Sequence, residues 1–88
     1  MDKATFIIED IFKIPGRGIV VTGRVQNGEI RPGMKGTING KNVEIVSIQA
    51  YNVELSVAKE GESCGLLLRG LYEEDKKNIQ PGDLILFG

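Results

Sequence analysis

Residues 16–25, Gly-Arg-Gly-Ile-Val-Val-Thr-Gly-Arg-Val, are the most informative run in this chain of 88 residues. Ile19–Val25 is rich in β-branched residues, the composition of a strand, and the preceding glycines permit backbone angles that other residues avoid. Gly23 lies inside the strand pattern, where a glycine usually marks a bulge or a close backbone approach. The run therefore predicts a strand of the kind found at the corner of a barrel.

Short strand-like segments lie on both sides of this run. They are Thr5–Phe12, Met34–Ile38, Asn42–Ala50, the alternating Val53–Val57, Ser63–Arg69 and Asp83–Phe87. Tight-turn dipeptides separate several of them: Asn27-Gly28, predicted to close a hairpin, then Pro32-Gly33, Asn39-Gly40 and Pro81-Gly82. Only Tyr72–Asn78 could be helical, for one or two turns. Many short strands with frequent turns predict an all-β sandwich or barrel, and a barrel would remove exposed strand edges.

The first strand carries one polar exception on an apolar face. By period two, Phe6, Ile8 and Phe12 share a face with Asp10. A buried carboxylate must be hydrogen-bonded, so Asp10 is predicted to have either a partner in a neighbouring loop or a ligand.

Composition and charge narrow the function. The chain is 41% hydrophobic and 26% charged with a formal net charge of −1, which argues against general phosphate coating but leaves a local basic edge open. No apolar run is long enough to span a membrane. Met1–Ala4 has no signal-like layout, so a cytoplasmic location is expected. Residues 1–88 are predicted to form a single domain.

The residues needed for catalysis are missing. There is no histidine, and the single cysteine, Cys64, can form neither an internal disulfide nor a thiolate zinc site. Gly18–Gly23 has the spacing of a phosphate loop, but Arg24 stands where lysine belongs and the interior is strand-like. Glu9 and Asp10 are adjacent on a strand and so are predicted to face opposite ways. We expect no enzyme activity, no cofactor and no metal.

Several motifs together resemble the second domain of elongation factor Tu. They appear in the same order from about Phe6 to Gly88: Phe6–Phe12, Gly16–Val25, Gly28–Gly33, Gly65–Gly70 and Pro81–Ile85. The resemblance implies a small closed antiparallel Greek-key-like β-barrel. The family's nucleotide-binding domain is not among these residues, so this chain is expected to stand alone and to bind no GTP.

The resemblance also implies a binding surface for the aminoacylated end of transfer RNA. The slot for the terminal adenine would comprise Ile14, Gly16, Val20 and Leu67. The aminoacyl side would comprise Glu9, Asp10 and Phe12, with Gln49, Asn52 and Ser63 at three further polar positions. At these three positions the family has glutamate, arginine and asparagine, and this change weakens the case for authentic aminoacyl-tRNA recognition.

Alternatives stay open for each of these groups. The apolar residues could pack in the core instead of lining a slot. Four arginines, Arg17, Arg24, Arg31 and Arg69, could contact phosphates if they converge, or could be solvated with carboxylate partners. Cys64 is either a small buried hydrophobe or a reactive thiol. The partner could be tRNA, rRNA or a translation factor, or the chain could be a protein-interaction module, including a homodimer.

Overall fold

The computed structural model describes residues 3–88. Met1 and Asp2, part of the amino-terminal stretch considered above, lie outside the described residues. Within residues 3–88 there are nine strands and one 3₁₀ helix. The strands are β1 (Ala4–Ile14), β2 (Gly18–Asn27), β3 (Glu29–Ile30), β4 (Lys35–Ile38), β5 (Lys41–Ala50), β6 (Val53–Leu55), β7 (Ala58–Lys59), β8 (Ser63–Arg69) and β9 (Leu84–Phe87). The helix spans Glu73–Asn78, as predicted for this stretch.

Six antiparallel strands close into a barrel. Their order is β4-β9-β1-β2-β8-β5, and β4 also pairs with β5, which completes the ring. β6 continues the sheet beyond β5, while β3 and β7 form a separate two-stranded ribbon. The predicted fold, a small closed antiparallel barrel, is confirmed.

The interior of the barrel is apolar. Its most deeply buried large side chains are Phe6, Ile8, Ile19, Val21, Val25, Ile30, Ile38, Ile45, Ile48, Leu66 and Ile85. No polar or charged side chain among residues 3–88 is buried. Burial of this apolar surface is the main force that stabilises the ring of short strands.

A bulge in β1 reverses the predicted alternation of that strand. The β1–β2 register shifts between Ile8 and Asp10, and a bulge of one residue exchanges the faces of all that follow. Asp10 and Phe12 are therefore exposed, and Ile11 packs against the core instead. The predictions that Phe12 shares the face of Phe6 and that Asp10 needs a buried partner are wrong. Asp10 Oδ1 accepts a hydrogen bond from the adjacent Ile11 N at 2.8 Å.

The predicted hairpin at Asn27-Gly28 does not form. β3 follows this dipeptide but pairs with β7, not with β2. Gly28 has a φ of 78°, and a Cβ there would lie 2.4 Å from the Lys3 carbonyl oxygen. The glycine thus lets the chain leave β2 while passing close to the start of β1.

The other turn predictions are confirmed. The Asn39-Gly40 turn joins β4 to β5, whose flanking residues Ile38 and Lys41 are paired. The two Pro-Gly turns are closed by the hydrogen bonds Met34 N to Arg31 O at 3.2 Å and Asp83 N to Gln80 O at 3.0 Å.

The segment Val53–Val57 differs from its predicted single strand. β6 ends at Leu55, β7 begins at Ala58, and Val53 is 57% exposed. Because β6 pairs only with β5, its outer residues have no second sheet to cover them.

Among residues 3–88, no helix has the length and apolar character needed to cross a lipid bilayer.

Candidate functional site

An apolar row crosses the outer face of β1, β2 and β8. The register pairs Phe12 with Val20 and Val20 with Leu67, and the row continues to Ser47 on β5. Directly opposed residues of antiparallel strands point to the same face. Phe12 is 46% exposed and Ile14 39% exposed, so the core-packing alternative is wrong for both.

A small slot lies along this row. It has a volume of about 100 Å³ and is lined by Ile14, Arg17, Val20, Ser47, Gln49, Gly65 and Leu67. Three residues predicted for the slot, Ile14, Val20 and Leu67, are thus brought together. Gly16 does not line it and instead takes a φ of 78° in the β1–β2 turn.

The sequence reasoning missed two slot-lining residues, Gly65 and Ser47. Gly65 leaves the floor open: a Cβ there would meet Val20 Cγ1 and Thr22 Cγ2 at 3.7 Å, an ordinary contact distance. Ser47 faces outward because the β5–β8 register shifts between Ile45 and Ser47. Gly65 could have been found from its spacing of two residues from Leu67, but the bulge at Ser47 gives no signal in the sequence.

The residues predicted for the aminoacyl side divide into two groups. Asp10 and Gln49 lie at opposite ends of a second row, next to the slot row, that runs through Thr22 and Gly65. Phe12 ends the slot row itself, and Glu9 is exposed at the bulge.

The remaining two residues do not line the slot. Ser63 opposes Arg24 one row further along. Asn52 lies in the β5–β6 turn, exposed, with a φ of 64°. Of the six residues predicted for the aminoacyl side, Gln49 lines the slot. Asp10 and Phe12 lie in the rows beside it, and the others lie outside its lining.

The four arginines do not form one phosphate-binding strip. Arg17 lines the slot, whereas Arg24 lies seven residues further along, about 20 Å away in extended chain. Arg31 pairs with Glu29 at 2.9 Å and Arg69 with Glu44 at 3.4 Å. Only Arg17 is placed to act at the slot.

An ion pair ties the end of β1 to the 3₁₀ helix. Lys13 Nζ donates to Glu73 Oε2 at 2.8 Å, next to the slot residue Ile14. This hydrogen bond and the charge of Lys13 lower the pKa of Glu73 below its usual value. Asp75, in the same acidic run, has a role at the start of the helix: its Oδ2 accepts a hydrogen bond from Tyr72 N at 2.9 Å.

Cys64 is a buried thiol, as one of its two readings predicted. Burial, and secondly the charge of Glu62, raises its pKa from 9.0 to about 11.

Since the thiolate is the reactive form, alkylation of Cys64 by iodoacetamide at pH 8.5 should be about a hundredfold slower in the folded chain than in urea. Because the folded pKa is the higher one, the stability that the protonated thiol contributes should be lost between about pH 9 and pH 11. Equal labelling rates in the folded and unfolded chain would contradict this.

The closed barrel with its outer slot has the architecture of the second, β-barrel domain of translational GTPases. The chain belongs to the elongation factor Tu domain 2 family, whose model matches residues 18–86. Domains of this type are typically non-catalytic on their own. Among the described residues, no three acidic, cysteine or histidine side chains gather as a metal site would require.

The solved structures that resemble the chain include two elongation factors. Translation elongation factor SelB from Methanococcus maripaludis aligns over 96% of this chain and 18% of its own, with 24% identity and a TM-score of 0.83. A bacterial selenocysteine-specific elongation factor, EF-Sec, aligns over 97% of this chain and 14% of its own, with 26% identity and a TM-score of 0.84. The chain therefore spans less than a fifth of the length of either factor.

Proposed function

We propose that this chain is a non-catalytic binding module of the translation apparatus that holds the unpaired end of an RNA in the slot. The observation that carries the proposal is the convergence of Ile14, Val20 and Leu67 with Arg17 and Gln49 around one hollow. Membership in the elongation factor Tu domain 2 family supports it.

The chemistry of the slot suits a single nucleobase. Apolar side chains can cover the faces of a flat base, and the Gln49 amide can both donate to and accept from its edge. Arg17 offers a planar guanidinium that matches a phosphate group. A volume of about 100 Å³ is well below the 300–1,000 Å³ of sites for whole drug-sized ligands. The slot therefore fits one extruded base and not a helix.

Loss of the terminal base should weaken RNA binding. The measurement is fluorescence anisotropy with a labelled RNA hairpin that ends in an unpaired 3′ adenosine, compared with the same RNA carrying an abasic 3′ end. Because stacking of one base contributes roughly 1–3 kcal/mol, we expect about tenfold weaker binding of the abasic RNA. Equal affinities at low salt, or no saturable binding, would remove the proposal.

Two slot variants test the site itself. Gly65→Ala adds a methyl to the floor at ordinary contact distances, so it should reduce binding while leaving the fold intact. Arg17→Ala should weaken binding and reduce the slope of log Kd against log salt by about 0.7, the value for one phosphate contact on a single strand. Arg24→Ala is the matched control, because Arg24 is exposed but does not line the slot. Equal loss in the two arginine variants would contradict a slot-centred contact.

The alternative function, protein interaction or self-association, is favoured by a separate observation. Tyr51 is 92% exposed and the neighbouring Val53 57% exposed at the β5–β6 hairpin, and exposed aromatic residues are common at protein interfaces. Sedimentation at increasing concentration distinguishes self-association, since a chain that stays monomeric in the high micromolar range is no homodimer.

A further inference from the structure

A second hollow lies on the opposite side of the barrel ring from the slot. It is an open groove of about 860 Å³ over β9 and β4 and the neighbouring ends of β1, β5 and β8. None of its lining residues belongs to the slot. Its volume is within the range of sites that hold sizeable ligands.

One wall of the groove is a row of charges on the outer face. Lys35 is directly opposite Glu44 on β5, and Glu44 is opposite Arg69 on β8. Lys3 extends the row from the other side, since β1 and β4 both flank the end of β9. Within residues 3–88, this row thus contains three cations and one carboxylate. Glu44 pairs with Arg69 at 3.4 Å, whereas Lys3 and Lys35 form no salt bridge with any carboxylate of residues 3–88.

The next row supplies apolar contact and hydrogen-bonding groups. It runs from Thr5 through Leu86 and Thr37 to Asn42. Leu86 is 56% exposed and supplies the apolar contact of this row. The methylene stems of the lysines add further apolar surface beside it.

The groove lacks the feature that a single-stranded RNA site needs. Such sites combine cations with exposed aromatic rings on which bases stack. Among the described residues that line the groove, the one aromatic residue is Phe87, and it is 3% exposed. Cations flanking an exposed leucine complement carboxylates that alternate with apolar side chains. Residues of five neighbouring strands line the groove, and a peptide of six extended residues, about 20 Å long, is a suitable probe of it.

From this charge and shape we propose that the groove is a docking site for an extended acidic segment of a partner protein in which carboxylates alternate with apolar side chains. The proposal does not depend on the slot, because the two surfaces share no residue. The two proposals also differ in the ligand that they require. The groove should bind a peptide, which has no nucleobase, whereas the slot should bind only an RNA with an unpaired base.

The test uses an acetylated, amidated hexapeptide of alternating glutamate and leucine, titrated into the ¹⁵N-labelled chain at low salt. We expect amide shifts confined to the groove strands, at Lys35, Thr37 and Leu86 among others. The double variant Lys3→Glu with Lys35→Glu should bind about tenfold more weakly. The double variant Lys59→Glu with Lys77→Glu is the control of equal net charge, since neither residue lines the groove.

A variant that is expected to bind the peptide more tightly gives a second test. Glu44→Gln removes the one carboxylate of the charge row and releases Arg69, so it should strengthen peptide binding severalfold. Thermal unfolding of every variant shows whether the fold persists, and Glu44→Gln still tests the site if the double lysine variant unfolds. Binding should also fall as salt rises, because the contacts are at the surface.

Several results would overturn the proposal. They are equal weakening by the groove and control variants, equal binding of a hexapeptide with lysine in place of glutamate, or shifts located at the slot. Binding of hexauridylate to the groove in place of the peptide would assign it to RNA. Concentration-dependent dimerisation through the groove would assign it to a second copy of the chain.

Discussion

Gly23→Ala is expected to destabilise the barrel by about 3 kcal/mol, near the upper end for an overpacked site. A Cβ at this position would lie 1.9 Å from the Ile7 carbonyl oxygen and 3.0 Å from the Phe6 ring. The obstacle is backbone of the paired strand, so relief requires β1 and β2 to separate beside the bulge at Glu9. The measurement is urea unfolding followed by circular dichroism.

Gly65→Ala is the matched control for this substitution. Gly65 is also inside a barrel strand, but the nearest atoms to its Cβ would be 3.7 Å away. Its substitution should change the free energy of unfolding by less than about 1 kcal/mol. Equal losses of unfolding free energy in the two alanine variants would show that Gly23 is not required for the close approach of β1 and β2.

The segments and most turns could be predicted from the sequence because their signals are local. Asn39-Gly40 and the two Pro-Gly pairs select their turn types by backbone preference alone. The many short strand-like segments separated by turns, together with the glycine at Gly23, were enough to suggest a barrel. The prediction of a hairpin at Asn27-Gly28 was wrong because β3 pairs with β7, which is distant in the sequence. A turn dipeptide carries no information about such a pairing.

The outer slot could be predicted only in part, for a related reason. Ile14, Val20 and Leu67 follow from family resemblance, and the register then brings them together. Ser47 and the exposure of Phe12 depend on two bulges, each of which adds one residue without a characteristic residue type. The glycine at Gly23 in β2 is visible in the sequence, but the extra residue in the paired strand β1 is not.

The bulge in β1 leads to the second large prediction, a contrast between two phenylalanines. Phe6 is fully buried and Phe12 is 46% exposed. Phe6→Ala should destabilise the chain by about 3–5 kcal/mol through lost burial and a cavity. Phe12→Ala should cost less than about 1 kcal/mol. The free energies of unfolding in urea, measured on both variants and the parent chain, provide the comparison.

The contrast separates a fold effect from a site effect. Uninterrupted alternation would put both rings on one face, and the two substitutions would then cost similar amounts. A difference of about 3 kcal/mol is therefore a measure of the face exchange at Glu9. Phe12 also ends the apolar row of the slot, so its alanine variant should keep the stability of the barrel and bind the adenosine-ended RNA less tightly. Unchanged RNA affinity in a stable Phe12→Ala chain would show that Phe12 takes no part in RNA binding, while leaving the bulge in place.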